Sequence, residues 1–227
     1  MKRILSVAAG LAIVVLVLGL AQQTAAKHTE HYIAPSVITA SDIPYPLNTV
    51  ASGVVSFAVN LGASGNVTDI QTLRDIPTIT SHAAVTLQGW TYAPATLNGK
   101  HVASTLIVHL VFDPAFLDTN HIPLGPPESF QPAVHKSSYS PPQLFTATFP
   151  PYPANGVSSG AVVLDVTLDA TGKISQVRPI RDIQTLTGAA VAAVQNWSFS
   201  AATYANTPIA SKVVVAMIFR SPASALP

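Results

Sequence analysis

Apolar residues fall at every second position from Gly53 to Leu61, which puts Val55, Phe57, Val59 and Leu61 on one face of a strand and Ser56, Ala58 and Asn60 on the other. The alternation returns from Gly160 to Leu168, with Val162, Leu164, Val166 and Leu168 inward and Asp165 and Thr167 outward. Each strand runs into a Gly-containing turn, GASGN at Gly62 or DATGK at Asp169, and then into VTDIQTL or ISQVRPI, which predicts a hairpin. Val67 and Ile70, like Ile174 and Val177, stand three apart and break the alternation, which predicts a bulge. An alanine-rich segment follows, with Ile79, Ala83, Leu87 and Trp90, then Leu186, Ala190, Val194 and Trp197, at helical spacing. Thr78 or Thr80, and Thr185 or Thr187, are the expected caps. STLIVHLVF and SKVVVAMIF close the two series as strands.

The two series are copies. Val37–Phe112 aligned with Leu144–Phe219 at an offset of 107 gives 28 identities in 76 positions without a gap, including the shared Arg-Asp-Ile at Arg74 and Arg181. That phrase bridges the second strand to the helix in both copies, as a locally paired loop or as a binding site made twice. The expected fold class is α+β: two small domains at 37–114 and 144–221, each strand-strand-helix-strand, with one helix covering an antiparallel sheet. Residues 115–143 are expected as a Pro-rich, semi-extended linker, since nine of the 19 prolines fall between Asp113 and Pro151.

Composition narrows the function. The chain has 227 residues, 48% hydrophobic and 9% charged, enough apolar material for one or two small cores. Its formal charge is +1, and without residues 1–26 it carries nine Lys and Arg against ten acids, so no nucleic-acid partner is expected. The absence of Cys excludes disulfides and thiolate chemistry. Residues 1–26 begin with Lys2 and Arg3 and continue through an uncharged run from Ile4 to Ala21, an export signal. Small residues at Gly19-Leu20-Ala21 and Thr24-Ala25-Ala26 suit cleavage, whereas a run of about 27 Å suits a retained inner-membrane anchor; either way the remainder lies outside the cytoplasm.

The order of motifs resembles the C-terminal domain of the TonB family, in tandem. The family's Tyr-Pro is found at Tyr45-Pro46 and Tyr152-Pro153, its G-x-V strand start at Gly53 with Val55 and Gly160 with Val162, and its turn Gly at Gly65 and Gly172. Its W-x-[FY]-x-P-A helix end is complete at Trp90, Tyr92, Pro94 and Ala95; in the second copy Trp197, Phe199 and Ala202 match and Ala201 replaces the Pro. Phe112 and Phe219 end the last strands. The resemblance covers about two-thirds of the chain. It implies a periplasmic, non-enzymatic module that binds an extended peptide of an outer-membrane receptor at a sheet edge. The family's partner edge is the last strand, which carries over to Leu106, Val108 and Leu110 and to Val213, Val214, Val215, Ala216 and Met217. The second edge is expected to be the better protected, by Lys212 and Arg220, and the better placed behind the linker.

Two features depart from an energy transducer. Only 18 residues, Lys27–Pro44, separate the N-terminal segment 1–26 from the first Tyr-Pro, a reach of at most roughly 60 Å, and the run from Ile4 to Ala21 holds no His. An envelope scaffold without energy coupling is therefore the alternative. Gly156-Val157-Ser158-Ser159-Gly160 spells G-x-S-x-G, so a periplasmic hydrolase using Ser158 is a third reading, although the motif precedes a strand rather than a helix. His28 and His31 are spaced as a metal pair in a leader, and His109 is expected on the outward, solvated face of its strand. No metal, cofactor or catalytic residue is expected.

Overall fold

The computed structural model describes residues 31–46, 49, 51–113, 138–153 and 158–221. The first copy supplies β1 (Tyr32–Ile33), β2 (Ser36–Thr39), β3 (Gly53–Leu61), β4 (Val67–Arg74), α1 (Thr80–Gln88), β5 (Thr91–Ala93), β6 (Ala95–Leu97), β7 (Lys100–Val102) and β8 (Ser104–Asp113). The second supplies β9 (Tyr139–Ser140), β10 (Leu144–Thr146), β11 (Gly160–Leu168), β12 (Ile174–Arg181), α2 (Gln184–Val194), β13 (Ser198–Phe199), β14 (Ala202–Tyr204), β15 (Thr207–Ile209) and β16 (Ser211–Phe219). The predicted hairpins form as β3–β4 and β11–β12, and the expected bulges lie where Val67 and Ile174 enter the ladders. The helical positions Ile79, Ala83 and Leu87, and Leu186, Ala190 and Val194, are fully buried.

The two strand-strand-helix-strand units share one six-stranded sheet, ordered β12-β11-β16-β8-β3-β4, and residues 31–221 belong to a single compact unit. Within each unit the pairing is antiparallel. At the seam, β8 and β16 run parallel, and the last strands of the two copies are each other's neighbours.

Register explains how this seam works. Val213 sits beside Ile107, a spacing of 106 where the repeat spacing is 107. Since strand side chains alternate between faces, a one-residue offset means that equivalent residues point to opposite sides of the sheet. Leu106, Val108, Leu110 and Phe112 accordingly pack with Val55, Phe57, Leu87 and α1, while Val213, Val215, Met217 and Phe219 pack with Leu164, Leu186, Val194 and α2 on the other face. The copies are thus related by an approximate two-fold axis along the seam, with one helix on each side.

The back of each unit is covered by its neighbour. Val54, Ala58, Ile107 and Val111 of the first copy join Leu144, Trp197 and Phe199 of the second, and Ala161, Val163, Val214 and Ala216 of the second join Val37, Trp90 and Tyr92 of the first. Both faces of β8 and β16 are therefore apolar cores, and every residue from Leu106 to Phe112 and from Val213 to Phe219 is buried. His109, expected in solvent, has no exposed surface: Ser56 Oγ lies 2.8 Å from its Nδ1, and Trp197 and Phe199 pack against its ring. Asp165, also expected outward, is 3% exposed and held by Lys212 at 2.7 Å and Arg178 at 3.2 Å.

The repeat starts earlier than the sequence alignment shows. Tyr139, placed in the expected linker, forms strand β9 beside Tyr204 and stacks at 5.4 Å on its equivalent, Tyr32. Tyr32 also stacks on Tyr204 at 6.0 Å, so one phenol ring of the first copy packs with two of the second. Burial pushes the Tyr32 and Tyr139 phenols well above the usual tyrosine range.

Candidate protein-binding edges and grooves

The Arg-Asp-Ile phrase ties the second strand to the helix in both copies, and in the second copy its arginine also reaches across to the first. Arg181 is 3.1 Å from Asp42 of the first copy, and its guanidinium also donates to the Ala161 carbonyl. Asp42 in turn accepts the Ala161 N–H at 2.8 Å. Its equivalent in the second copy is Phe149, and the equivalent arginine, Arg74, is 7% exposed. The isoleucines tie the loop to the helix start: the N–H of Ile76 donates to Thr80 Oγ1 and that of Ile183 to Thr187 Oγ1. Thr80 and Thr187 were expected to cap the helices, but each sits inside the first turn and bonds backward, and neither helix has a side-chain cap.

The Tyr-Pro and Trp motifs also fasten loops. Tyr45 donates its hydroxyl to the Ala51 carbonyl, and Tyr152 donates to the equivalent Ser158 carbonyl at 2.7 Å. Gly65 and Gly172 hold φ near +84° and +85°, and a Cβ there would lie 2.5 Å from the Tyr92 carbonyl or 2.7 Å from that of Phe199. Only glycine fits the close approach of this turn to the strand after the helix. Trp90 and Trp197 are buried as expected, and the indole of Trp197 donates to the Thr148 carbonyl.

The last-strand residues expected to meet a partner, Leu106, Val108, Leu110, Val213, Val214, Val215, Ala216 and Met217, lie in the seam. The open edge expected for each copy is filled by the other. Lys212, expected to guard that edge, pairs with Asp165, and Arg220 stands over the Tyr45 ring.

The free edges are elsewhere. Among the described residues, β4 pairs only with β3 and β12 only with β11. Beside each outer strand the helix leaves a groove, at the same place in both copies. The first, about 780 Å³, runs between Val67–Ile70 of β4, Ala84 and Gln88 of α1, and Trp90–Tyr92. The second, about 330 Å³, lies between Ile174, Gln195 and Trp197–Phe199. Nothing in the alternation of β4 or β12 signals an edge rather than a central strand; the signal that was present was the near-continuous apolar run of β8, broken only at His109, and the unbroken run Val213–Phe219 of β16, which mark strands covered on both faces.

The remaining candidates are dispersed. Ser158 lies in coil before β11 with its hydroxyl bonded to Thr185 at 3.0 Å, and Gly156 and Val157 lie outside the described residues. His28 and the run from Ile4 to Ala21 lie outside them too, and His31 is exposed. Among the described residues no group of three or more His, Asp or Glu could hold a metal ion, and no helix is long and apolar enough to cross a membrane.

Comparison with known proteins agrees with this double architecture. No curated protein and no solved structure matches the chain. The family described as Gram-negative bacterial TonB protein C-terminal matches twice, over residues 48–114 and 147–221, which enclose the two long hairpins, the helices and the seam strands. The chain therefore belongs to that family of periplasmic protein-interaction domains, and carries its domain in tandem.

Proposed function

We propose that the protein is a non-enzymatic interaction module of the cell envelope that holds an extended segment of another envelope protein by sheet-edge pairing on an outer strand. One observation carries this reading: the last strands are paired with each other, which leaves the outer sides of β4 and β12 as the unpaired edges of the six-stranded sheet among the described residues. Such pairing draws its affinity from main-chain hydrogen bonds and needs no catalytic side chains. The closed seam also favours a scaffold without energy coupling. Capture of an outer-membrane receptor on a last strand would require the two copies to part, exposing a core buried on both faces.

Site-specific photo-crosslinking in the envelope tests this. Of photoreactive residues at the exposed Thr68 of β4 and Ser175 of β12, at least one should give partner adducts, and one at the buried Val108 or Val215 should give none. Adducts from the seam positions alone would overturn the proposal and support receptor capture on the last strands.

A further inference from the structure

The approximate two-fold axis offers two equivalent edges, but the copies have diverged where the edges matter. Pro179 lies in the middle of β12, in register with Leu164. A proline is accommodated in a strand where its nitrogen faces away from the ladder, so the outer side of β12 lacks a donor there. Exposed Arg178 adjoins it, and proline and cations are devices that blunt an edge. The equivalents in β4 are Thr72 and Gln71, in register with Phe57 and Ala58, and they leave that edge its full set of donors. The grooves differ in the same sense, 780 Å³ against 330 Å³. Their charges are opposite: the only charged residue lining the first is Asp69, and the only one lining the second is Lys173.

Resting on the edge-pairing reading, we infer that the first copy alone offers the working edge, and that its occupant is an extended segment bearing an apolar side chain next to a Lys or Arg. In a strand added to β4, alternate side chains face the helix side of the sheet. There the floor is Val67, Ile70, Ala84 and Trp90, which suits an apolar anchor, and the Asp69 carboxylate at the rim suits a neighbouring cation. The second copy then serves as the scaffold that closes the first copy's last strand and directs binding to β4.

The test titrates the full chain with an end-blocked synthetic peptide, Thr-Val-Lys-Val-Thr-Val-Thr, followed by amide chemical shifts, next to the same peptide with Glu for Lys. One peptide should bind per chain, shifting the amides of Val67–Arg74. Thr72→Pro copies the second copy's own residue into an equivalent register and should weaken binding by about tenfold or more. Arg178→Gln with Pro179→Thr copies the first edge into the second and should raise the stoichiometry to two. The Glu peptide should bind about threefold more weakly, and Asp69→Asn should remove that difference. Two sites in the parent protein, binding at β12, indifference to Thr72→Pro, or equal binding of the Glu peptide overturns the inference while the edge-pairing reading stands. Binding to neither outer strand, in the parent or in the opened variant, overturns both.

Discussion

Asp42→Ala removes a carboxylate that the first copy extends across the seam to the Ala161 N–H at 2.8 Å and to Arg181 at 3.1 Å. Ala161 is fully buried, so losing its acceptor exposes the chain to the larger of two costs. A hydrogen bond from a backbone N–H to a charged group contributes about 1.5–3 kcal/mol, and the lower end applies because the Asp42 side chain is 49% exposed and water can partly replace it. The ion pair adds about 0.2–1 kcal/mol, with Arg181 30% exposed. The sum is about 2 kcal/mol, which lowers the melting temperature of a domain this size by about 4–8 °C. Asp42→Asn keeps an acceptor and should cost about half as much. A thermal melt followed by circular dichroism reads both, and a double-mutant cycle with Arg181→Ala should return a coupling of about 0.5–1 kcal/mol. A melting temperature for Asp42→Ala within about 1 °C of the parent would refute the reasoning.

A second prediction uses the copies as controls for each other. Lys212→Thr strands the 3%-exposed Asp165 with only the largely exposed Arg178 and should cost about 3 kcal/mol in urea unfolding, whereas adding Asp165→Ala and Arg178→Gln, the residues the first copy carries, should restore stability to within about 1 kcal/mol; a triple variant as unstable as the single would contradict it. A third concerns alkali. Burial raises the folded-state phenols of Tyr32, Tyr92 and Tyr139, while the unfolded chain releases these protons near pH 10, so above that pH the folded state binds more protons and loses stability. The urea midpoint should hold up to about pH 9 and then fall, with each tyrosine contributing up to about 1.4 kcal/mol per pH unit, and a midpoint unchanged to about pH 11 would contradict the burial of these rings.

Much of each unit was legible because a single physical rule governs it. Alternation at Val55–Leu61 and Val162–Leu168, helical spacing through Trp90 and Trp197, and the glycines at the turns all report contacts within one copy. What was not legible is contact between copies. His109 looks outward from its own core, and the neighbouring unit, through Trp197 and Phe199, makes that position interior, while Asp165 is held by Lys212 and Arg178 of its own copy. The same holds for the edges. A last strand read as part of a lone three-stranded sheet has an open side, and its continuous apolar run, Leu106–Val108 with Leu110–Phe112 and Val213–Phe219, is the trace of a second covered face. The grooves escaped because each depends on how far a helix falls short of an outer strand, a distance that periodicity does not encode.

The seam between β8 and β16 is the central claim, and the absence of Cys from the chain makes it directly testable. Val108 and Val214 are register partners on adjacent strands, and a strand spacing of about 4.8 Å lies within disulfide range. Val108 and Val215 are equivalent by the repeat but point to opposite faces. With cysteines at each pair in turn, oxidation of the folded protein should close the Val108–Val214 bridge and leave the Val108–Val215 pair reduced. Failure of the first pair to oxidise, or preferential oxidation of the second, would contradict a parallel seam with a one-residue offset.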